Sequence, residues 1–137
     1  MTTSYDIIAF QGNKLPSNYH NLIYSRWLRS LRFGNDYYKL IDSKAYYDSY
    51  QKHVAYLIHH PEAVVKLAVL SDDHDIVLGF SVSRNYILDY VHVHKDQRRQ
   101  GIGTSLVPKD ITVVTHLTKT ALLIWPKHPN VTFNPFI

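Results

Sequence analysis

Two long segments place apolar residues at helical spacing. In the first, Ile23, Trp27 and Leu31 recur every four residues between a candidate cap at Ser17 and a terminator at Gly34, which predicts a helix over residues 18–33. The second segment opens at Asp42 or Ser43 and stops before Pro61, and its apolar stripe comprises Tyr46, Tyr50, Val54, Leu57 and Ile58. We therefore expect two consecutive amphipathic helices whose tyrosines mostly pack in the core.

The rest of the chain favours strands. Residues 63–71 and 76–83 are β-rich runs around the polar turn 72–75, which predicts an antiparallel hairpin. Further strands are predicted at 5–10, 86–94, 111–115 and 131–133, and a helix or apolar turn at 117–125. The order of strand, helix, helix and then mostly strands indicates an α/β (α+β) fold with a mixed sheet.

Length and composition limit the class of protein. The chain has 137 residues, 45% of them hydrophobic and 19% charged, so we expect one globular domain over 1–137. Zero cysteines exclude disulfides, thiolate metal sites and a cysteine nucleophile. The start lacks the basic region of a signal peptide, and the longest apolar run, 121–125, is too short to cross a bilayer. These features predict a soluble, cytoplasmic protein.

The charge balance permits an anionic partner without choosing one. Fifteen Lys and Arg residues outnumber eleven acidic ones, for a net charge of +4. Arg26, Arg29 and Arg32 form a stripe on the first helix, which is either a solvated face or a basic rim. Nucleic-acid binding needs a larger basic surface than +4 indicates, so we do not expect it.

The stretch 91–106 contains the most informative pattern. An apolar strand leads into a loop with Gly101 and Gly103, and a helix then starts. Two residues without side chains let a phosphate approach the backbone, the first amides of the helix point at the loop, and Arg98 and Arg99 add positive charge. No Gly-Lys-Ser/Thr follows and a third glycine is missing, which excludes a Walker A loop and the dinucleotide fingerprint.

The motif Arg98-x-x-Gly101-x-Gly103 after an apolar strand resembles the acyl-CoA loop of the GNAT superfamily of N-acyltransferases, and the order of elements is similar to that family's. The resemblance implies a mostly antiparallel sheet of about six strands flanked by helices. It also implies transfer of an acetyl group from acetyl-CoA to a primary amine of an unidentified acceptor. Main-chain groups of Val91 and Val93 would pair with pantetheine. The residues that would hold the pyrophosphate are Arg98, Arg99, Gly101, Gly103 and Thr104.

Acid–base candidates lie near the same strand. In the resembled fold, the strand at 89–94 and the next at 111–115 diverge, and the thioester lies between them. Strict alternation places Asp89 on one face with Val91 and Val93, where it could act as the general base directly or through water. His116, just after the next strand, is the second candidate.

The other histidines predict no metal site. His92 and His94 point to the face opposite Val91 and Val93, and no third ligand is identifiable. The adjacent pair at 59–60, at a helix end, is interpreted as a charge partner of the helix C-terminus.

Three departures from the family pattern favour a second hypothesis. Pro108 limits the helix after the loop to about two turns. Trp125 stands where the family often has a tyrosine that protonates the leaving thiolate, and indole cannot do so. The chain stops after the sixth predicted strand, so a homo-oligomer or another protein could complete the sheet. The alternative is a catalytically degenerate binding or structural protein, such as a phage virion component.

Overall fold

The described residues form a six-stranded sheet with helices on both faces. A computed structural model describes residues 4–34, 36–97, 101–116 and 130–137. The strands are β1 (Tyr5–Gln11), β2 (Ala63–Leu70), β3 (Asp73–Arg84), β4 (Ile87–Val93), β5 (Val113–Val114) and β6 (Thr132–Phe133), and they lie in chain order across the sheet. β1 to β4 pair antiparallel, and β5 and β6 continue the sheet in parallel. The predicted mixed, mostly antiparallel sheet is confirmed.

Both long helices form where the apolar stripes predict them. They are α1 (Ser17–Phe33) and α3 (Ser43–Ile58), and the short α2 (Asp36–Lys39) between them was not predicted. Asp42 caps α3 by accepting a hydrogen bond from the Ala45 amide at 3.0 Å. The prediction that Ser17 caps α1 is wrong: Ser17 is the first helical residue, and the first backbone bond runs from the His20 amide to the Pro16 carbonyl.

Two tight turns organise the central strands. β3 begins at Asp73, directly after a turn at 71–72, so the hairpin is tighter than the predicted four-residue turn. Asn85 occupies the second turn, between β3 and β4, with a φ of 53°. Asparagine adopts this left-handed conformation more readily than most residues, which suits a two-residue hairpin turn.

Each face of the sheet has its own core. The first cluster joins α1 and α3 to the sheet through side chains such as Trp27, Tyr46, Phe80 and Tyr90. The second joins α4 (Ile102–Leu106) to the opposite face, where Val91 and Val93 pack with Ile102 and Leu106. Both faces of β4 are therefore buried. No helix among the described residues is long and apolar enough to cross a membrane.

Candidate active site

A β-bulge in β4 creates the polar centre of the molecule. Val82 pairs with Tyr90 and Ser83 with Leu88, which leaves Asp89 as an extra residue in β4. A bulge interrupts the alternation of side chains along a strand. The strict alternation that placed Asp89 on one face with Val91 and Val93 is therefore interrupted at Asp89. Val91 and Val93 pack in the core beside α4, whereas the Asp89 carboxylate bonds to Arg84 and Thr115.

Asp89 is held by a buried ion pair and a hydroxyl. Arg84 donates to its two oxygens, from Nε at 2.9 Å and from a terminal nitrogen at 3.3 Å. Thr115 donates to Oδ1 at 3.0 Å, and the Asp89 side chain is 0% exposed. A carboxylate with both oxygens occupied and no exposed surface is arranged to hold its neighbours in position.

His116 is fixed in one tautomer by the bulge. Its Nδ1 lies 2.8 Å from the Asp89 backbone oxygen and 2.9 Å from Thr115 Oγ1. A carbonyl can only accept a hydrogen bond, so Nδ1 carries the hydrogen and Nε2 keeps its lone pair. Burial lowers the pKa of His116 to about 4, although the hydrogen bond to Asp89 opposes that shift. The imidazole is thus neutral near pH 7, with Nε2 able to accept a proton.

Aromatic rings surround the His116 imidazole on the α1 and α3 side. Ring centres lie 5.8 Å away for Trp27, 6.3 Å for Tyr50, 5.9 Å for His53 and 6.0 Å for Tyr90. Trp27 and Tyr90 are buried, Tyr50 is partly exposed and His53 is exposed. The ring of His116 therefore lies one side chain below the surface, beneath Tyr50 and His53 of α3.

Strands β4 and β5 pair over a short distance. Their register covers only Ile87 with Val113 and Leu88 with Val114 among the described residues, and the Thr115 amide then donates to the Leu88 carbonyl at 3.0 Å. At the next residue of β4, the Asp89 carbonyl accepts a hydrogen bond from the His116 ring. His116 therefore follows directly on the last β4–β5 pairing among the described residues.

The main-chain N–H and C=O groups of Val91 and Val93 point to the side of β4 on which β5 lies. The His94 amide donates to the Leu78 carbonyl across the β3–β4 ladder. In an antiparallel ladder, alternate residues bond to the same neighbour, so Tyr90 and His92 bond toward β3. The main-chain groups of Val91 and Val93 are directed away from β3, toward the side on which β5 lies.

The glycine loop starts α4 as predicted. Gly101 has a φ of +81°, and a Cβ built on it would meet no described atom within 4 Å. Its carbonyl accepts from the Ser105 amide at 3.0 Å. Gly103 and Thr104 lie inside α4, whose five residues match the short helix expected before Pro108. Arg98, Arg99 and Trp125 lie outside the described residues.

Most of the arginine stripe on α1 makes contacts within the protein. Arg26 donates to the Val77 carbonyl at 2.7 Å. Arg32 donates to the Ile41 carbonyl at 2.9 Å, and its guanidinium lies 5.2 Å from the centre of the Tyr46 ring. Two of the three cations therefore fasten α1 to its neighbours, which favours a structural interpretation of the stripe.

His92 lies in β4 and His94 directly follows that strand. His92 packs beside the Phe80 ring, 5.8 Å between centres, and His94 Nδ1 lies 3.6 Å from an Asp96 oxygen. In the described part of the chain, no three His, Asp or Glu side chains are grouped so as to hold a metal ion.

Comparison with known proteins identifies the fold. No protein-family model and no curated protein matches the sequence. A solved structure from Pyrococcus furiosus, described as an acetyl transferase, matches with a TM-score of 0.58 and 14% identity over 96% of this chain and 97% of that one. The apo-form of YjaB from Escherichia coli matches with a TM-score of 0.50 and 16% identity over 94% of this chain and 69% of that one. The chain has the fold of the GNAT superfamily.

His116 gives stability a pH dependence that can be measured. Its pKa is about 4 in the folded protein, against about 6.5 for an unperturbed histidine. Between these values the unfolded chain binds a proton that the folded protein does not, so the free energy of unfolding should fall by up to about 1.4 kcal/mol per pH unit on acidification. Urea denaturation at pH 7, 6 and 5 should show this slope. His116→Gln should flatten it, and an equal slope in both proteins would contradict the assignment.

Proposed function

We propose that this protein is an N-acetyltransferase that moves an acetyl group from acetyl-CoA to a primary amine. The observation that carries the proposal is the buried His116 imidazole, whose Nδ1 bonds to the Asp89 carbonyl and leaves Nε2 as the acceptor, next to the last described β4–β5 pairing of a GNAT fold. Such a group can accept the proton that an amine must lose as it is acylated.

The acyl donor is proposed to lie along β4 and the loop that follows it. Val91 and Val93 would pair with the pantetheine arm through the main-chain groups directed away from β3. The backbone near Gly101 is accessible, since its missing side chain leaves open space among the described residues. The pyrophosphate would lie there, held by main-chain groups and by Arg98, Arg99, Gly103 and Thr104.

His116 is proposed as the base, with Asp89 as a positioning residue. As the amine nitrogen forms its bond to the thioester carbon, Nε2 takes the proton from nitrogen, and the carbon–sulfur bond breaks to release thiolate. A base with a pKa of about 4 is too weak to deprotonate a free ammonium, so the acceptor enters as the neutral amine. The acidic limb of the rate should therefore report the acceptor's pKa.

The buried ion pair supports this arrangement electrostatically. When His116 becomes protonated, the Asp89 carboxylate and carbonyl stabilise the imidazolium, and both raise the pKa of His116 against the effect of burial. The exposed His53 lies beside it, where a proton can pass to solvent. The thiolate needs no dedicated acid, because a free thiol has a pKa of ~8.5 and thiolate is a fair leaving group near neutrality.

Donor binding tests the first half of the proposal. Native protein should bind CoA in calorimetry, and Gly101→Glu should abolish the binding because a charged side chain would enter the space of the phosphates. Gly101→Asn is the matched control, since asparagine tolerates the positive φ and adds no charge. It should keep the fold and lose less affinity. Unchanged affinity in Gly101→Glu, or no binding by native protein, would refute the donor site.

A further inference from the structure

We propose that His20 and His59 form a binding site for a divalent transition-metal ion, separate from the candidate active site. The two imidazole Nε2 atoms lie 3.1 Å apart, although the residues are 39 positions apart in the chain. Their ring centres are 5.0 Å apart with planes inclined by 29°. One residue lies in the first turns of α1, and the other ends α3.

The distances fit two ligands of one ion. With metal–nitrogen bonds of about 2.05 Å, nitrogens at this separation subtend about 98° at the ion, between octahedral and tetrahedral values. The ring centres would then be about 4.8 Å apart, whereas a linear N–H···N hydrogen bond of the same length would separate them by about 5.4 Å. The observed 5.0 Å lies between these values, so a small movement of either ring would bring both nitrogens onto one ion.

The backbone next to each of the two histidines is packed against the rest of the fold. His59 follows Ile58, which is fully buried, and the backbone at Gly12 packs so closely there that a Cβ would lie 1.8 Å from the Ile58 oxygen. His20 follows the buried Tyr19, whose hydroxyl donates to the His74 carbonyl at 2.8 Å. Little conformational freedom would be lost when an ion binds, which favours affinity.

The end of α3 favours a cation at His59, whereas the first turn of α1 at His20 opposes it through the same dipole effect. His59 caps the C-terminus of the 16-residue α3, where the helix dipole places partial negative charge. It is exposed and His20 is partly exposed, so water can complete the coordination shell. Within the described ranges, no third acidic or histidine side chain joins the pair. Neutral imidazoles select Ni²⁺, Cu²⁺ or Zn²⁺ over Mg²⁺ and Ca²⁺. A bound ion would cross-link the start of α1 to the end of α3.

Titration of Ni²⁺ into protein without a histidine tag tests the site. One equivalent should bind to native protein, and His20→Gln and His59→Gln should each weaken binding at least tenfold. The double variant should be no weaker than the single ones, because the chelate needs both rings. His74→Gln is the control, since His74 is also half-exposed and paired, with Asp6 at 3.0 Å. It should bind like native protein, and Mg²⁺ should give no signal.

A Cu²⁺ measurement and two contrary outcomes complete the test of the metal site. Cu²⁺ bound to native protein should show paramagnetic-resonance coupling to two imidazole nitrogens, and His59→Gln should lose that signature while its circular dichroism stays native. Native-like Ni²⁺ affinity in both single variants would place the ion on other histidines and overturn the proposal. Absence of binding to native protein at millimolar Ni²⁺ would also overturn it, and would leave the pair as a hydrogen bond.

Discussion

Replacing His116 with glutamine should lower the rate of amine acetylation by about 10² to 10⁴-fold, the usual contribution of a positioned general base. The amide keeps the approximate volume of the imidazole but cannot accept the proton that the attacking nitrogen loses. CoA affinity should stay near native, because the proposed donor site lies along β4 and the loop before α4. Steady-state rates with one amine, together with CoA calorimetry, measure the two effects separately.

Two matched variants sharpen that test. His92→Gln makes the same change on β4, beside Phe80, and should leave the rate within a few-fold of native. Asp89→Asn discriminates between the two base candidates. If Asp89 is the base, its rate falls most at low pH. If Asp89 only positions His116, the rate falls by a similar factor across the pH range. A His116→Gln enzyme as fast as native would remove His116 from the mechanism.

Replacing Asp89 with alanine should destabilise the protein by about 3–5 kcal/mol, because breaking a buried ion pair leaves a charge without its partner. Arg84 is only 13% exposed and would lose both of its bonds to the carboxylate. The Thr115 hydroxyl would lose an acceptor at the same time. Urea denaturation of native and variant protein at pH 7 measures the difference.

The control for this prediction is an exposed carboxylate. Asp96→Ala removes the carboxylate beside His94, where the side chains are 45% and 70% exposed, and should cost less than about 1 kcal/mol. Replacing both buried partners, Arg84→Met with Asp89→Leu, should recover much of the stability because no unpaired charge remains. An Asp89→Ala loss no larger than that of Asp96→Ala would show that the buried pair does not hold the bulge.

Local pattern predicts most of the fold. The four-residue spacing of Ile23, Trp27 and Leu31 identifies the buried face of α1, and all three side chains are buried. Pro108 limits α4, which ends at Leu106. These features depend on neighbours in sequence, so periodicity and steric rules find them. The four-residue α2 is too short for a helical repeat of apolar residues to show in its sequence.

The site depends on contacts that sequence does not display. No residue pattern indicates the bulge at Asp89, because the bulge results from the pairing register between β3 and β4. Strict alternation, the basis for ranking Asp89 above His116, therefore does not hold at Asp89. The Arg84–Asp89 pair, the cover of Tyr50 and His53, and the contact between His20 and His59 likewise arise from tertiary packing.

The central claim is acyl transfer, and acceptor-dependent release of CoA thiol tests it most directly. Native protein incubated with acetyl-CoA should release thiol when amines, peptides or amino sugars are offered, and mass spectrometry should find an acetylated product. The release should be faster at pH values where the acceptor is a neutral amine, and His116→Gln should suppress it. Folded native protein that binds CoA but releases no thiol across a broad acceptor panel would contradict the claim and favour a degenerate binding protein.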